Sequence, residues 1–239
     1  MRCYLLVSLT LLFIFSSAVV SADKLILVGK NDPINDNDLI LMERLQGMGL
    51  EVEYHSEPEA HPVDLTGAAC VYISESVTSG NIGSAYTDVN ISVITSEGGL
   101  IDDLKMGVGQ NSDSVTAIEI VDPNHPITQG FSGQVEVLSQ PGILPGATEL
   151  QGDVQILATL ADGSGWPRLF VYDEGAQMID MVAPARRVFV FNHQEVNSLL
   201  NEDGWTLIER SVDWALGNEP TSVSYQDVLA DTWGAIKSR

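Results

Sequence analysis

Two segments place titratable side chains directly after apolar runs, where strands would end. They are Thr95-Ser96-Glu97-Gly98-Gly99 after Ile91–Thr95, and Asn192-His193-Gln194-Glu195 after Arg187–Phe191. A carboxylate and an imidazole in one cleft can share proton transfer, with Glu97 as general base and His193 as its acid or partner. Glu195 stands beside them in the sequence. Ser96 is a weaker nucleophile candidate: the Gly-x-Ser-x-Gly elbow is absent, and Ile94 stands where its first glycine belongs. His193 and Glu195, with Asp102, Asp103 or Glu97, also offer nitrogen and oxygen donors to a metal. One histidine among scattered carboxylates lacks the spacing of a structural zinc site, so no metal and no cofactor is expected. These residues also have plainer uses. Glu97 can accept backbone N–H groups at a helix N-terminus, and His193 can cap the loop after its strand.

The elements that must position these residues follow from hydrophobic patterning. Lys24–Gly29 is a short, nearly continuous apolar run ending in glycine, which suits a strand covered on both faces. A periodic segment with Leu41, Leu45 and Met48 on one face reads as a helix, with Asp36 as its N-cap and Gly49 as its C′ glycine. Glu51–His55 alternates as a second strand, and Ala69–Ser74 and Ile91–Thr95 give a third and fourth. This succession argues for a parallel sheet with helices on its faces. Ligands of such sheets sit beyond the carboxyl ends of the strands, here Gly29–Pro33, Ser74–Gly80 and Ser96–Gly99. Ser74, Glu75, Ser76, Ser96 and Gly98 are therefore candidate ligand contacts. Trp166, in Gly163-Ser164-Gly165-Trp166-Pro167, is a candidate face for stacking a sugar ring, and Tyr86 lies in the loop before the fourth strand. His55, His61 and His125 are expected in turn roles, His125 at the start of a short helix.

The second half is richer in strands. Ser114–Val121, Gln134–Leu138, Gln155–Leu160, Arg168–Tyr172, Ala176–Met181 and Arg187–Phe191 all read as extended, separated by Pro/Gly turns. A last helix over about 203–216 carries Trp205, Ile208, Val212 and Ala215 as its apolar stripe and closes at Gly217. Trp205 and Trp214 belong to the core in this reading. No repeat or low-complexity tract interrupts the segment 23–217, which reads as one domain. Residues 218–239 read as a linker and tail, either a terminal helix docked on the domain or a separate attachment segment.

The ends and the charge set the compartment. Residues 1–22 combine Arg2, an apolar run from Leu5 to Phe15 and the small residues Val20-Ser21-Ala22, the three parts of a secretory signal peptide. The run is shorter than the roughly 20 residues a spanning helix needs. A secreted, periplasmic or cell-surface product without a transmembrane anchor is expected. The chain of 239 residues has 11 Lys+Arg against 33 Asp+Glu, a net of −22, and no Lys or Arg lies between Lys105 and Arg168. Such a charge repels phosphate backbones and anionic lipid, so no nucleic-acid partner is expected. Loss of the leader removes Cys3 and leaves Cys70 alone in Ala68-Ala69-Cys70-Val71-Tyr72-Ile73. An apolar run of this kind makes Cys70 a small buried hydrophobe and not a reactive thiol.

The succession Val71-Tyr72-Ile73-Ser74-Glu75-Ser76-Val77, Gly80-Asn81-Ile82-Gly83, Ile91-Ser92-Val93-Ile94-Thr95-Ser96-Glu97 and Ile101-Asp102-Asp103-Leu104 resembles class I glutamine amidotransferase-like proteins. It is closer to the trehalose-utilization (ThuA-like) and related exported bacterial domains. Asp122-Pro123-Asn124-His125-Pro126-Ile127, Arg187–Phe191 and Asp213-Trp214-Ala215-Leu216-Gly217 are similar to the same domains. The resemblance implies a flavodoxin-like three-layer α/β sandwich, with a mostly parallel central sheet and extra β-strands in the second half. Enzymatic relatives keep a cysteine at a sharp strand-to-helix turn and complete a triad with a His-x-Glu pair. Here the resemblance puts Glu97 at the cysteine's place and His193-Gln194-Glu195 at the pair. A carboxylate cannot do thiolate chemistry. The expected function is therefore an exported, non-catalytic domain binding a small polar ligand, a carbohydrate, or a surface partner. The alternatives are a carbohydrate-active hydrolase or isomerase using Glu97 and His193, and a cell-surface module attached through its tail.

Overall fold

Leu25, Ile26, Leu27 and Val28 are all fully buried, so the strand that carries them, β1 (Lys24–Gly29), needs cover on both faces. In the computed structural model, which describes residues 23–57 and 64–218, β1 lies inside a nine-stranded sheet. The chain continues through α1 (Asp36–Gly47), β2 (Glu51–Ser56), β3 (Ala68–Ile73), the single turn α2 (Ser79–Ile82) and β4 (Ser92–Thr95). Then come β5 (Gly107–Val115), β6 (Ala117–Ile120), β7 (Gly133–Glu136), β8 (Gly142–Leu150), β9 (Gln155–Leu160) and β10 (Pro167–Tyr172). The last elements are β11 (Gln177–Met178), β12 (Met181–Val182), β13 (Arg187–Phe189) and α3 (Glu202–Ala215). The sheet order is β2-β1-β3-β4-β13-β10-β9-β6-β7. The pairings from β2 to β13 are parallel and the rest antiparallel. Only β10 and β6 therefore run against the common direction.

The sheet has two apolar faces. Leu25, Leu27, Cys70, Tyr72, Ile94 and Val188 face Leu41 and Leu45 of α1 and Ile208 and Val212 of α3. The second face, with Ile26, Val28, Val71, Val93, Phe170 and Phe189, is covered by Ile82 of α2 and by Tyr86, Leu100, Ile101, Leu104 and Met106. The third layer is thus built from the single turn α2, the 3-10 turn Gly98–Leu100 and irregular segments, where helices were expected on both faces. Tyr86, 1% exposed, belongs to this layer and offers no face to a ligand.

Local chemistry corrects several boundaries. The N-cap of α1 is Asn35 and not Asp36: Asn35 has extended backbone angles and its Oδ1 accepts the Asp38 N–H at 2.9 Å. An amide or a carboxylate serves equally there, so composition could not choose between neighbours. Gly49, at φ +88°, closes the helix as expected. The expected strand over 114–121 breaks at Thr116 into the end of β5 and all of β6, and the run 176–181 folds back on itself as β11 and β12. A nine-residue ribbon, β5 against β8, was not foreseen; its strands contain Gly107, Gly109, Gly142, Pro145 and Gly146 and lack apolar alternation. Arg168 of β10, fully buried, anchors that ribbon by donating to Asn111 Oδ1 (2.9 Å) and Asp113 Oδ2 (2.5 Å). His125 caps a turn, its Nδ1 accepting the Ile127 N–H, but no helix follows. Trp205 and Trp214 are buried, as expected. The segment 1–22 read as a leader, His61 and the residues from 219 onward lie outside the described residues.

Candidate functional site

Strands β3, β4 and β13 are neighbours, and Ile73, Thr95 and Phe189 stand level across them. The segments leaving them are sewn together just beyond the edge. Ser96 N–H donates to Ile73 C=O (3.1 Å), Val190 N–H to Thr95 C=O (3.0 Å), and Glu75 N–H to the Ser96 hydroxyl (3.1 Å). Adjacent parallel strands therefore bring Glu75, Glu97 and His193 to one place from three distant parts of the chain.

Glu97 is the N-cap of the 3-10 turn Gly98–Leu100, and its Oε1 accepts the Gly99 N–H at 2.6 Å. This is the plainer of the two uses expected for it. Burial pushes its carboxyl up to about 7. The Gly99 hydrogen bond opposes that shift, the Glu75 charge adds to it, and the His193 charge opposes it. His193 caps its own turn, Gln194–Val196, through Nδ1, which accepts the Glu195 N–H at 3.1 Å. An accepting Nδ1 leaves the proton of the neutral ring on Nε2, which donates to Glu75 Oε1 at 3.0 Å. The other Glu75 oxygen accepts the Gln194 N–H at 3.2 Å. Burial lowers the His193 imidazole, but the Glu75 hydrogen bond and the charges of Glu75, Glu195 and Glu97 outweigh it and raise its pKa above 6.5. Protonation at Nδ1 would cost the bond to the Glu195 N–H, so cap and charge compete. His193 and Glu97 influence each other's charge, yet the partner His193 holds is Glu75.

The remaining candidates separate clearly. Ser74 and Ser76, 1% and 3% exposed, turn their hydroxyls inward onto the Asp38 carboxylate. Ser96 is fully buried and receives the Glu75 N–H. Glu195 is exposed and gives the site only its backbone N–H and its charge. Trp166, 38% exposed, sits in the turn between β9 and β10. Because β10 runs against β13, that turn lies at the same edge of the sheet as Glu97. Among the described residues, no three His, Cys, Asp or Glu side chains converge where an ion could be held. Cys70 is fully buried within β3, three residues short of the edge, or roughly 10 Å along the strand. Burial pushes its thiol up to about 12. An alkylating reagent should leave the Cys70 peptide unmodified in the native protein and label it after denaturation, by mass spectrometry; rapid native labelling would contradict this placement.

A cavity of about 240 Å³ opens beside the bend, lined by Ser79, Gly98, Gly99, Asp102, Gly109 and Gln110. Gly98 and Gly99 permit its shape. A Cβ on Gly98 would lie 2.7 Å from Gln110 Oε1, and one on Gly99 2.5 Å from Ser79 Oγ. Ser79 lies in the strand-end segment Ser74–Gly80 but was not singled out there, and Gln110 was missed because it comes from the unforeseen ribbon strand β5. Two grooves of about 400 Å³ lie elsewhere, one between α1 and α3 and one at the opposite edge of the sheet, where β3, β4 and β13 begin. Neither Glu97 nor His193 lines any of the three; the smaller cavity meets the bend through Gly98 and Gly99, next to Glu97 in the chain.

No family model matches the sequence, and no curated protein does. Solved structures do. A ThuA-like protein from Parabacteroides merdae superposes with a TM-score of 0.58 at 13% identity, covering 85% of this chain and 93% of its own. A second ThuA-like protein, from Bacteroides uniformis, gives 0.56 at 9% identity, over 87% and 97%. A glutamine amidotransferase from Thermotoga maritima gives 0.50 at 9% identity, over 82% and 99%. The chain has the amidotransferase-like fold. Within this fold the Glu97 bend follows β4 at the carboxyl edge of the parallel strands, where ligands of open α/β sheets bind.

Proposed function

We propose that this amidotransferase-like chain is an exported, non-catalytic domain that binds a small polar ligand, a carbohydrate, in the cavity beside Glu97. The observation that carries the reading is the identity and engagement of the group at the bend. Glu97 is a carboxylate already bonded to the Gly99 N–H, while Cys70, the cysteine among the described residues, is buried away from the edge. The cavity offers a hydroxyl, an amide and a carboxylate, from Ser79, Gln110 and Asp102, with no Lys or Arg in its lining. Those groups suit a neutral hydrogen-bonding ligand better than an anion. At about 240 Å³ the cavity is below the roughly 300–1,000 Å³ of drug-sized sites, which favours a single ring over a polymer. Export rests on the leader 1–22 and agrees with the net charge of −22.

One observation favours a hydrolase or isomerase instead: a carboxyl brought to about 7 suits a general base near neutral pH. A single experiment separates the two. The mature chain is screened against mono- and disaccharides by calorimetry and by product analysis, and the screen is repeated with Glu97→Gln. Binding without turnover, weakened about tenfold by the substitution, is the expected result. Turnover abolished by Glu97→Gln would establish the enzyme reading, and binding unchanged by it would remove Glu97 from the site.

A further inference from the structure

Asp38 has no solvent exposure, and among the described residues no cation pairs with it. Three side-chain donors satisfy it: Ser74 Oγ at 2.5 Å to Oδ1, and Ser76 Oγ and Asn35 Nδ2 each at 2.6 Å to Oδ2. Each serine hydroxyl has one hydrogen, and both are spent on Asp38. Their lone pairs then face outward and collect backbone donors: Ser74 Oγ takes the Ser76 N–H, and Ser76 Oγ takes the Lys30 N–H, each at 3.1 Å. The turn closed by Val77 N–H on Ser74 C=O is therefore held on both sides of Glu75. The enclosure is tight, since a Cβ on Gly29 would lie 2.5 Å from Asp38 Oδ2. A second contact reaches the other half of the pair. The C=O of Asn37, the neighbour of Asp38, accepts the Asn197 Nδ2–H at 3.0 Å, and Asn197 closes the turn that His193 opens.

We propose that Asp38 is a positioning residue of the site, gripping the Ser74–Ser76 turn so that the first turn of α1 aligns the Glu75 carboxylate with His193. The assignment rests on the binding reading above for its use, but its physical content is the Glu75–His193 pair itself. A charge buried for stability alone gains little over its desolvation, because well-packed apolar residues commonly serve as well. A fixed acceptor that orients two hydroxyls in defined directions is something an apolar residue cannot supply.

The test is the titration of the histidine ring protons by NMR on ligand-free mature protein, so that failure to bind a carbohydrate bears on the function alone. The groups facing His193 are Glu75, Glu97 and Glu195, and Glu75 is the one Asp38 controls. Glu75→Gln should move the His193 midpoint downward. Asp38→Ala should move it downward to the same extent, and the double variant should add nothing further. The amide resonances of β6 and β7, at the far edge of the sheet, should keep their wild-type positions throughout, as general loosening would not allow. If Asp38→Ala does not fold, Ser74→Ala with Ser76→Ala removes the same two relays and should give the same shift. A wild-type His193 midpoint in a folded Asp38→Ala or double-serine variant would overturn the proposal.

Discussion

Replacing Arg187 by methionine is expected to destabilise the protein by roughly 3–5 kcal/mol, far more than a typical single substitution. Arg187 is 1% exposed, and no carboxylate among the described residues pairs with it. Its guanidinium instead serves five backbone carbonyls with four hydrogens: Nη1 shares two among Ile91, Ala185 and Arg186, each at 3.1 Å, and Nη2 donates to Thr87 and Val89 at 3.1 and 2.8 Å. The side chain thus replaces secondary structure for the irregular segment that leads into β4. Burial lowers its pKa to about 10, a cost the five acceptors must offset. Apolar replacement of a buried charge is often neutral when its partner can be removed as well. Backbone carbonyls cannot be removed, and each buried one left without a donor costs about 1–3 kcal/mol. The melting temperature should fall by roughly 6–20 °C at the usual 2–4 °C per kcal/mol for a domain of this size. Arg187→Lys, with three donors in place of five and no planar fork, should fall between the two. A loss below about 1 kcal/mol for Arg187→Met would mean that these bonds contribute nothing net.

The second large effect is one of pH. A carboxyl whose folded pKa is raised from 4.5 to about 7 is held more easily in its protonated form. Its contribution to stability is therefore complete below about 4.5 and is lost as pH rises to about 7. At 1.36 kcal/mol per unit the full shift would be near 3 kcal/mol, and partial solvent access reduces that to about 2. Glu97→Gln keeps the acceptor for the Gly99 N–H and removes the charge. The variant should match the wild type at pH 4.5 and melt roughly 4–8 °C higher at pH 8. The raised His193 acts in the same direction, since its contribution is present below its unfolded pKa and lost as pH rises through its folded value. Both proteins keep His193 and its Glu75 partner, so the difference between their curves reports Glu97 together with its charge coupling to His193. Parallel melting curves across this window would mean that Glu97 titrates as an ordinary exposed acid. A gain near neutral pH on removing this charge is the usual sign of a group kept for function at the expense of stability.

The strands of the parallel half were legible because three of them are short apolar runs and the edge strand β2 alternates, each leading into a turn or loop. The runs at Lys24, Glu51, Ala69 and Ile91 agree with β1 to β4 within a residue or so. The final helix was legible from the spacing of Trp205, Ile208, Val212 and Ala215. Both signals are local, set by which faces of one segment avoid water. The ribbon β5–β8 was not legible: its inner side chains are buried by another element and its own pattern is glycine-rich and polar.

The same division runs through the site. That an acid occupies the bend after the fourth strand, and that Cys70 is a packing residue, can be written down from neighbours within five positions along the chain. That His193 answers to Glu75 and not to Glu97, and that Ser74 and Ser76 serve Asp38 and not a ligand, depends on the order β3-β4-β13 in the sheet and on where α1 lands. These pairs are separated by between 36 and 118 residues. Contacts at such separations are created by the burial of two sheet faces at once, a constraint to which the whole chain contributes and which no short segment carries.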